Sequence, residues 1–438
     1  MRALRRPPAG GRRYPVGSAG AARSRAPDVG DALMRTTTPG AERHGWFRDH
    51  LLLGMAPREY LRSLTRADAA IAAILACGLP VIVYRFAAGL GATTHLSQAQ
   101  PWGLWIGFDM MTGIALAAGG FTLGAAVHLF GLEQYHPVVR PAILTAFLGY
   151  LIAVLGLMTD LGKPWNMVMV ALHHGTTSAL FEVAWCVMLY TTVLALEFLV
   201  PAFEWLGWRR AHALLTKAML ALTVLSVVFS TMHQSALGSL FLIAPAKLHP
   251  LWYSPYMFVF FFVSAVAAGL SMVIVEGTLS HRAFRHRITG EHADVEALQL
   301  GLGKASAIVL FAYFFLKLQG VAEGRHWDLL PTRWGAWFLV EILGFVLLPA
   351  LLHGYGARHR RVRLVRIAAA VTVLGIALNR LNVSMVAYNW DAPARYVPSW
   401  MEIAVSVTLV TLGIALFRFI IDRMPILAED PRFAAGGA

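Results

Sequence analysis

Glu182 and Glu197 stand fifteen residues apart in one apolar stretch, ALFEVAWCVMLYTTVLALEF. As a helix, fifteen residues make about four turns and about 22 Å, so both carboxylates face roughly the same way at opposite ends of a membrane-length element. An ionisable group inside hydrocarbon costs several kcal/mol unless it is satisfied, which makes each one a functional candidate. Sorted by depth along their apolar stretches, these groups form two sets. Asp160, Glu182, His233 and Arg380 share one depth, with Tyr150 midway along its own stretch. That set has the chemistry to bind a carbonyl and hand it protons: the imidazole donates a hydrogen bond and the carboxyl passes a proton. Arg140, Glu197 and Glu276 share the opposite depth, where they would open a proton route. Asp109, His128, Lys317 and Glu341 also fall within or near apolar stretches. The structural alternative is that such groups only pair with one another to hold helices.

The elements that position them follow from composition. Of 438 residues, 57% are hydrophobic and 14% charged, against about a quarter charged in a soluble protein. Apolar runs of about 20 residues, the length of a bilayer-spanning helix, recur ten times: 68–90, 103–131, 138–160, 179–200, 212–234, 255–279, 297–321, 334–355, 363–384 and 399–422. The expected fold is an all-α polytopic membrane protein. Small residues in the second run (TGIALAAGGFTLGAA) let helices approach closely. Paired broken helices of the transporter kind are not evident.

Orientation follows from the short loops. One side carries Arg48, Arg58, Arg62, Arg66, Arg140, Arg209, Arg210, Arg282, Arg285, Arg287, Arg358, Arg360, Arg361, Arg363, Arg423 and Arg432. The other carries only Lys163, Lys247, Arg325, Arg333 and Arg395. The positive-inside rule then puts both termini in the cytoplasm and the chain, as a multi-pass protein, in the cell's inner membrane. Residues 1–66 read as a disordered basic arm, rich in Arg, Pro and Gly, with no apolar region of a signal peptide; Met34 is a second candidate start. Residues 67–424 read as the helix bundle and 425–438 as a short tail. The net charge of +13 gathers in this arm and in the loops of one face, which argues against nucleic acid and for membrane lipid as its partner. Cys77 and Cys186 lie in apolar runs and offer neither a disulfide framework nor a metal site. Haem held by two imidazoles needs matched depth on facing helices. His128 and His353 are the one pair that depth allows, and no haem is expected.

Several motifs carry a resemblance: PWGLWIGFDMMTG, QYHPVVRPAILTAFLGY, ALFEVAWCVMLYTTVLALEF, TMHQSALGSL, HPLW and VIVEGTL. In this order, from about Pro101 to Arg423, they resemble the NrfD/polysulfide-reductase family of membrane subunits, and within it the HybB branch that serves respiratory nickel–iron hydrogenase-2. The resemblance implies a haem-free subunit of ten helices that reacts with quinone, menaquinone or ubiquinone. It implies an iron–sulfur electron-transfer subunit on the outer face, fed by hydrogenase large and small subunits, with proton translocation. Related subunits serve as quinol-oxidising anchors of molybdopterin or multihaem enzymes. By the same resemblance Tyr150, Glu182 and His233 belong to the quinone site, and Arg140, Glu197 and Glu276 to the proton route. His173 and His174, in the loop after Asp160, have no counterpart in that pattern.

Overall fold

The computed structural model describes residues 45–173, 175, 177–284 and 292–427. The arm before residue 45, His174, Arg285, Arg287, Arg432 and the tail from 428 lie outside the described residues. Among the described residues, ten helices are long and apolar enough to cross a membrane: α1 (Arg66–Ala88), α2 (Trp105–His128), α3 (Glu133–Asp160), α4 (Ala179–Leu206), α5 (Arg209–Leu242), α6 (Met257–Ala283), α7 (Val295–Glu323), α8 (Arg333–Arg358), α9 (Val362–Val386) and α10 (Trp400–Ile421). A helix suits hydrocarbon because it satisfies its own backbone donors and acceptors. Among the described residues the one β contact is an isolated bridge between Leu248 and Tyr388.

α2 to α5 pack in a closed cycle of four, and α6 to α9 pack in a second such cycle. α2 and α5 lean on α6 to join the two bundles, while α1 and α10 pair on the outside of α3. The joint is made of glycines. A Cβ added at Gly269 of α6 would come within 2.3 Å of the Gly119 nitrogen in α2. One at Gly238 of α5 would come within 2.4 Å of the Met257 carbonyl oxygen. The small residues of the second run therefore serve backbone-to-backbone contact.

Boundaries differ from expectation in several places, and α5, expected to end at 234, runs on to Leu242. α4 continues beyond residue 200, through Pro201, to Leu206 and stops at Gly207, whose φ of 73° suits the left-handed cap that ends a helix. Its extra turn carries Glu204, buried and ion-paired with Arg140 of α3 at 2.9 Å. The arm expected to be irregular as far as residue 66 also differs, because 45–66 form short helices at Trp46–Leu51 and Pro57–Ser63. Aromatic contact explains the first: His50 stacks on Trp46 (4.9 Å) and meets Trp205 edge-on (5.2 Å). Arg423 ties both helices down, donating to the Leu51 carbonyl (2.8 Å) and the Tyr60 hydroxyl (2.9 Å).

Among the described residues, three π-helical turns interrupt the spans, at Trp105–Thr112 in α2, Val340–Leu347 in α8 and Asn382–Val386 in α9. Such turns cluster at functional sites. Each lies beside one of the polar groups described next.

Candidate functional site

At the end of the first bundle opposite the arginines, α2, α3 and α4 part around a cavity of about 1330 Å³. Its walls are apolar, with Ile106, Met110 and Ile114 from α2, Leu157 from α3, and Val183 and Val187 from α4. The segment after α3, with a 3-10 turn at Pro164–Val168 and a short helix at Met169–Leu172, closes one side through Trp165, Met167 and Val170. Asp160 and Lys163 supply charge to the lining, and Thr191 a buried hydroxyl. His173, at the end of this segment, is exposed.

Asp160 is held at the mouth by a cation that sequence reasoning missed. Buried Arg85 of α1 donates Nε to the Thr159 carbonyl and Nη2 to the Leu161 carbonyl, both at 2.6 Å. It thereby satisfies carbonyls at the open end of α3. Glu402 of α10 lies nearby, accepting from the backbone N–H of His95 (3.1 Å) and Ser399 (2.8 Å) and from the Tyr396 hydroxyl. Burial, with that carboxylate, pushes the Tyr396 hydroxyl up and keeps it protonated.

Behind the cavity wall runs a line of buried polar side chains. On α4, Tyr190, Glu197 and Glu204 recur every seven residues, hence on one face. On antiparallel α5, Ser226, Ser230 and His233 face them. Ser226 Oγ donates to Glu197 at 2.9 Å. Tyr150 enters from α3, its ring 4.6 Å from Tyr190 and 5.7 Å from His233. All three rings are fully buried, and Ser230 lies beside both phenols. Among the described residues, the Tyr150 and Tyr190 hydroxyls, Ser230 Oγ and both His233 ring nitrogens form no hydrogen bond of good geometry. Leaving one such group unsatisfied costs about 1–3 kcal/mol, so ordered water is the usual remedy. The line touches the cavity wall twice. His233 lies against the Val183 backbone, and Gln234 Nε2 donates to the Ile114 carbonyl at 3.0 Å.

At the arginine-rich end the line opens into a pocket of about 230 Å³ lined by His128, His136, Arg140, Glu197, Glu204 and His212. Arg140 and Glu197 therefore share one space, as their depth predicted. Glu276 does not join it: its carboxylate accepts from Thr145 Oγ1 of α3 at 2.5 Å, between α3 and α6. Arg140 shares the pocket with Glu197, but its ion-pair partner is Glu204.

Of the other predicted set, Asp160 lines the cavity, Tyr150 and His233 stand behind its wall, and Glu182 and Arg380 are placed elsewhere. Glu182 is exposed in the first turn of α4 rather than set in an apolar wall; its neighbour Val183 faces the cavity. Arg380 is buried in the second bundle. It donates to Ser264 Oγ (2.8 Å) and Asn379 Oδ1 (2.8 Å) and lies 3.9 Å over the Phe261 ring. Close by, the Glu341 carboxylate accepts from Trp252 Nε1 and Asn379 Nδ2, both 2.7 Å, and from Asn382 Nδ2. Buried Lys317 lies over Phe260 and Phe338, 5.4 Å from each centroid. His128 and His353 are not brought together: His128 lines the pocket of the first bundle, whereas His353 faces Gly303 inside the second.

Above Glu341, at the same end as the cavity, Trp252, Trp334 and Trp390 enclose His249 at 4.9–5.5 Å. Burial, helped by His326 nearby, pushes the His249 imidazole down to about 4. A free imidazole titrates at about 6.5, so protons bind preferentially to the opened loop. This enclosure is then at full strength above about pH 6.5 and weakens as pH falls through about 4. Tryptophan emission should shift red across that window, and His249→Phe should remove the shift. An emission that ignores pH in the wild type would contradict the assignment.

With the geometry in place, comparison with known proteins gives a consistent answer. A family model described as polysulphide reductase, NrfD, matches residues 91–390. A protein of Nitratidesulfovibrio vulgaris is 50% identical over 364 residues, 82% of this chain and 94% of its own. The Escherichia coli K12 protein named probable Ni/Fe-hydrogenase 2 b-type cytochrome subunit is 34% identical over 362 residues, covering 81% of this chain and 90% of its own. The integral membrane subunit of menaquinone reductase from N. vulgaris is 26% identical over 377 residues, 78% of this chain and 87% of its own.

Proposed function

The chain belongs to the polysulphide reductase NrfD family of membrane proteins, and from that premise we propose that it is the quinone-reactive subunit of a respiratory complex, with a nickel–iron hydrogenase as electron source. The observation that carries the reading is the apolar cavity with Asp160 at its mouth and a buried proton-bearing line behind its wall. The names of two relatives, a hydrogenase b-type cytochrome subunit and a menaquinone reductase membrane subunit, support the same class. A cavity of about 1330 Å³ admits a quinone head and part of its tail, and its few polar groups suit a polar head on an apolar chain.

In this reading the positive-inside rule sets the arginine-rich end in the cytoplasm and the cavity at the outer face of the inner membrane. An iron–sulfur subunit docks at that face, bringing electrons from the hydrogenase subunits. Quinone, when bound, supplies an acceptor for two electrons and two protons. The chain's own side chains do the rest. The segment 161–172 keeps bulk water from the cavity, Arg85 fixes the end of α3 that presents Asp160, and Tyr150 and His233 hold protons behind Val183 and Ile114. Glu197 refills them from the pocket it shares with Arg140 and Glu204. Protons drawn from the cytoplasm cross most of the membrane, which is worth about 2.3 kcal/mol per charge per 100 mV.

The complex reconstituted in liposomes tests this directly. Hydrogen-driven quinone reduction should build a membrane potential and speed up when uncoupler is added. Glu197→Gln, which keeps the volume and the Ser226 contact but holds no exchangeable acid, should slow turnover at least tenfold, given the usual worth of a positioned proton donor. A wild type that builds no potential and ignores uncouplers would overturn the coupling, and one that reduces no quinone would overturn the reading itself.

A further inference from the structure

The second bundle, which the quinone reading does not use, carries a polar ladder of its own. On α7, Gln299, Ser306 and Tyr313 recur every seven residues, followed one turn later by Lys317, and all four are buried. On α6, Ser264, Ser271 and Thr278 recur at the same interval. The helices run antiparallel, and their contacts keep a single register. Gln299 Nε2 donates to Thr278 Oγ1 at 3.1 Å, Tyr313 lies beside Ser264, and Lys317 lies over Phe260. Each step of seven along α7 is matched by a step of seven back along α6, so the register sets Ser306 opposite Ser271. Seven residues are about 10.5 Å. The ladder therefore runs about 27 Å from Gln299 to Lys317, most of the hydrocarbon thickness.

Its middle rung is open for use. A buried serine in a helix commonly donates to the carbonyl four residues back, and Thr278 and Thr372 do so here. Among the described residues, the Ser271 and Ser306 hydroxyls, both fully buried, have no such partner. His353 of α8 flanks this rung: its Nδ1 would be 3.4 Å from a Cβ on Gly303, one turn before Ser306. Both His353 ring nitrogens are buried and unpartnered too. The ends of the ladder are ionic. Arg366 donates to Gln299 Oε1 at 2.8 Å and faces Glu296 at the arginine-rich end. Lys317, Glu341 and Arg380 close the opposite end.

We propose that this ladder is a second proton path, separate from the line through Glu197 and ending at Lys317 and Glu341. A proton taken up at the arginine-rich end passes by hydroxyl and imidazole, each accepting one and giving one up, with water between rungs, reaches the Lys317–Glu341 end and leaves to water at the cavity-side face; the path returns to its starting state after each transfer. Its driving force is the electron transfer of the proposed quinone reaction, on which this inference rests. Ring contacts join the two sites: Trp102 of the cavity wall meets Phe241 at 5.6 Å, Phe241 meets Phe261 at 5.6 Å, and Arg380 covers Phe261.

The test counts protons moved per electron in liposomes carrying the whole complex, for wild type, for Lys317→Met and for Ser271→Ala with Ser306→Ala. Both variants are expected to keep quinone reduction in the presence of uncoupler while the proton-to-electron ratio falls. The serine pair, which removes two oxygens and leaves the packing, answers the question if Lys317→Met fails to assemble. An unchanged ratio in the serine variant would overturn the second path and leave the ladder as helix packing alone. That outcome is distinct from failure of the quinone reading, in which the wild type itself reduces no quinone.

Discussion

Tyr150→Phe should lower quinone reduction by two orders of magnitude or more while leaving the complex assembled. The phenylalanine ring keeps the edge-on contact with Tyr190 and the contact with His233, so the packing cost is small. What is lost is a fully buried hydroxyl beside Ser230 and Gln234, the link by which protons reach the cavity wall. A positioned proton donor is worth about 10²–10⁴ in rate. His233→Ala should do at least as much, since it also opens a space behind Val183. Because neither residue lines the cavity, kcat should fall with KM nearly constant. A quinone-contacting group would raise KM instead. Hydrogen-dependent quinone reduction in membranes, measured across quinone concentrations, separates the two cases. Wild-type rates in both variants would remove Tyr150 and His233 from the function.

The ten spans were legible because hydrocarbon imposes them: twenty apolar residues have one stable conformation there. Depth was legible for the same reason, since 1.5 Å per residue converts sequence position into height. Depth alone misplaced Arg380, which sits at the expected height but in the other bundle, since height says nothing about which helices close into a cycle. Rotation is the second hidden coordinate. Glu182 and Val183 differ by one residue and about 100° around α4, and only the packing of α4 on α5 decides that Val183 faces inward. One signal was available and unused. Glu197 marks a face that Tyr190 and Glu204 share at intervals of seven, and that periodicity points to the polar line and to the partner of Arg140. The cavity itself leaves no such trace, because it arises where three helices part.

Glu341→Leu should be the most destabilising single change in the membrane domain. The carboxylate accepts three side-chain N–H groups, from Trp252, Asn379 and Asn382, and lies among Lys317 and Arg380. Leucine leaves those donors unsatisfied and two buried cations without an anion. Buried cations left without a facing anion are strongly disfavoured, and each orphaned donor adds about 1–3 kcal/mol. Against a typical stability of about 5–15 kcal/mol, that is enough to leave little folded protein. The loss should spread to the cavity-side surface, since Trp252 leads from Glu341 to the rings around His249. Removing both signs of charge should cost less than removing one: Lys317→Met added to Glu341→Leu should recover part of the stability, because hydrophobic replacement of a whole buried ionic group is often tolerated. Thermal unfolding in detergent, followed by monodisperse elution after heating, measures both. A Glu341→Leu chain that melts with the wild type, or a double variant weaker than the sum of its parts, would show that the cluster is not held by charge.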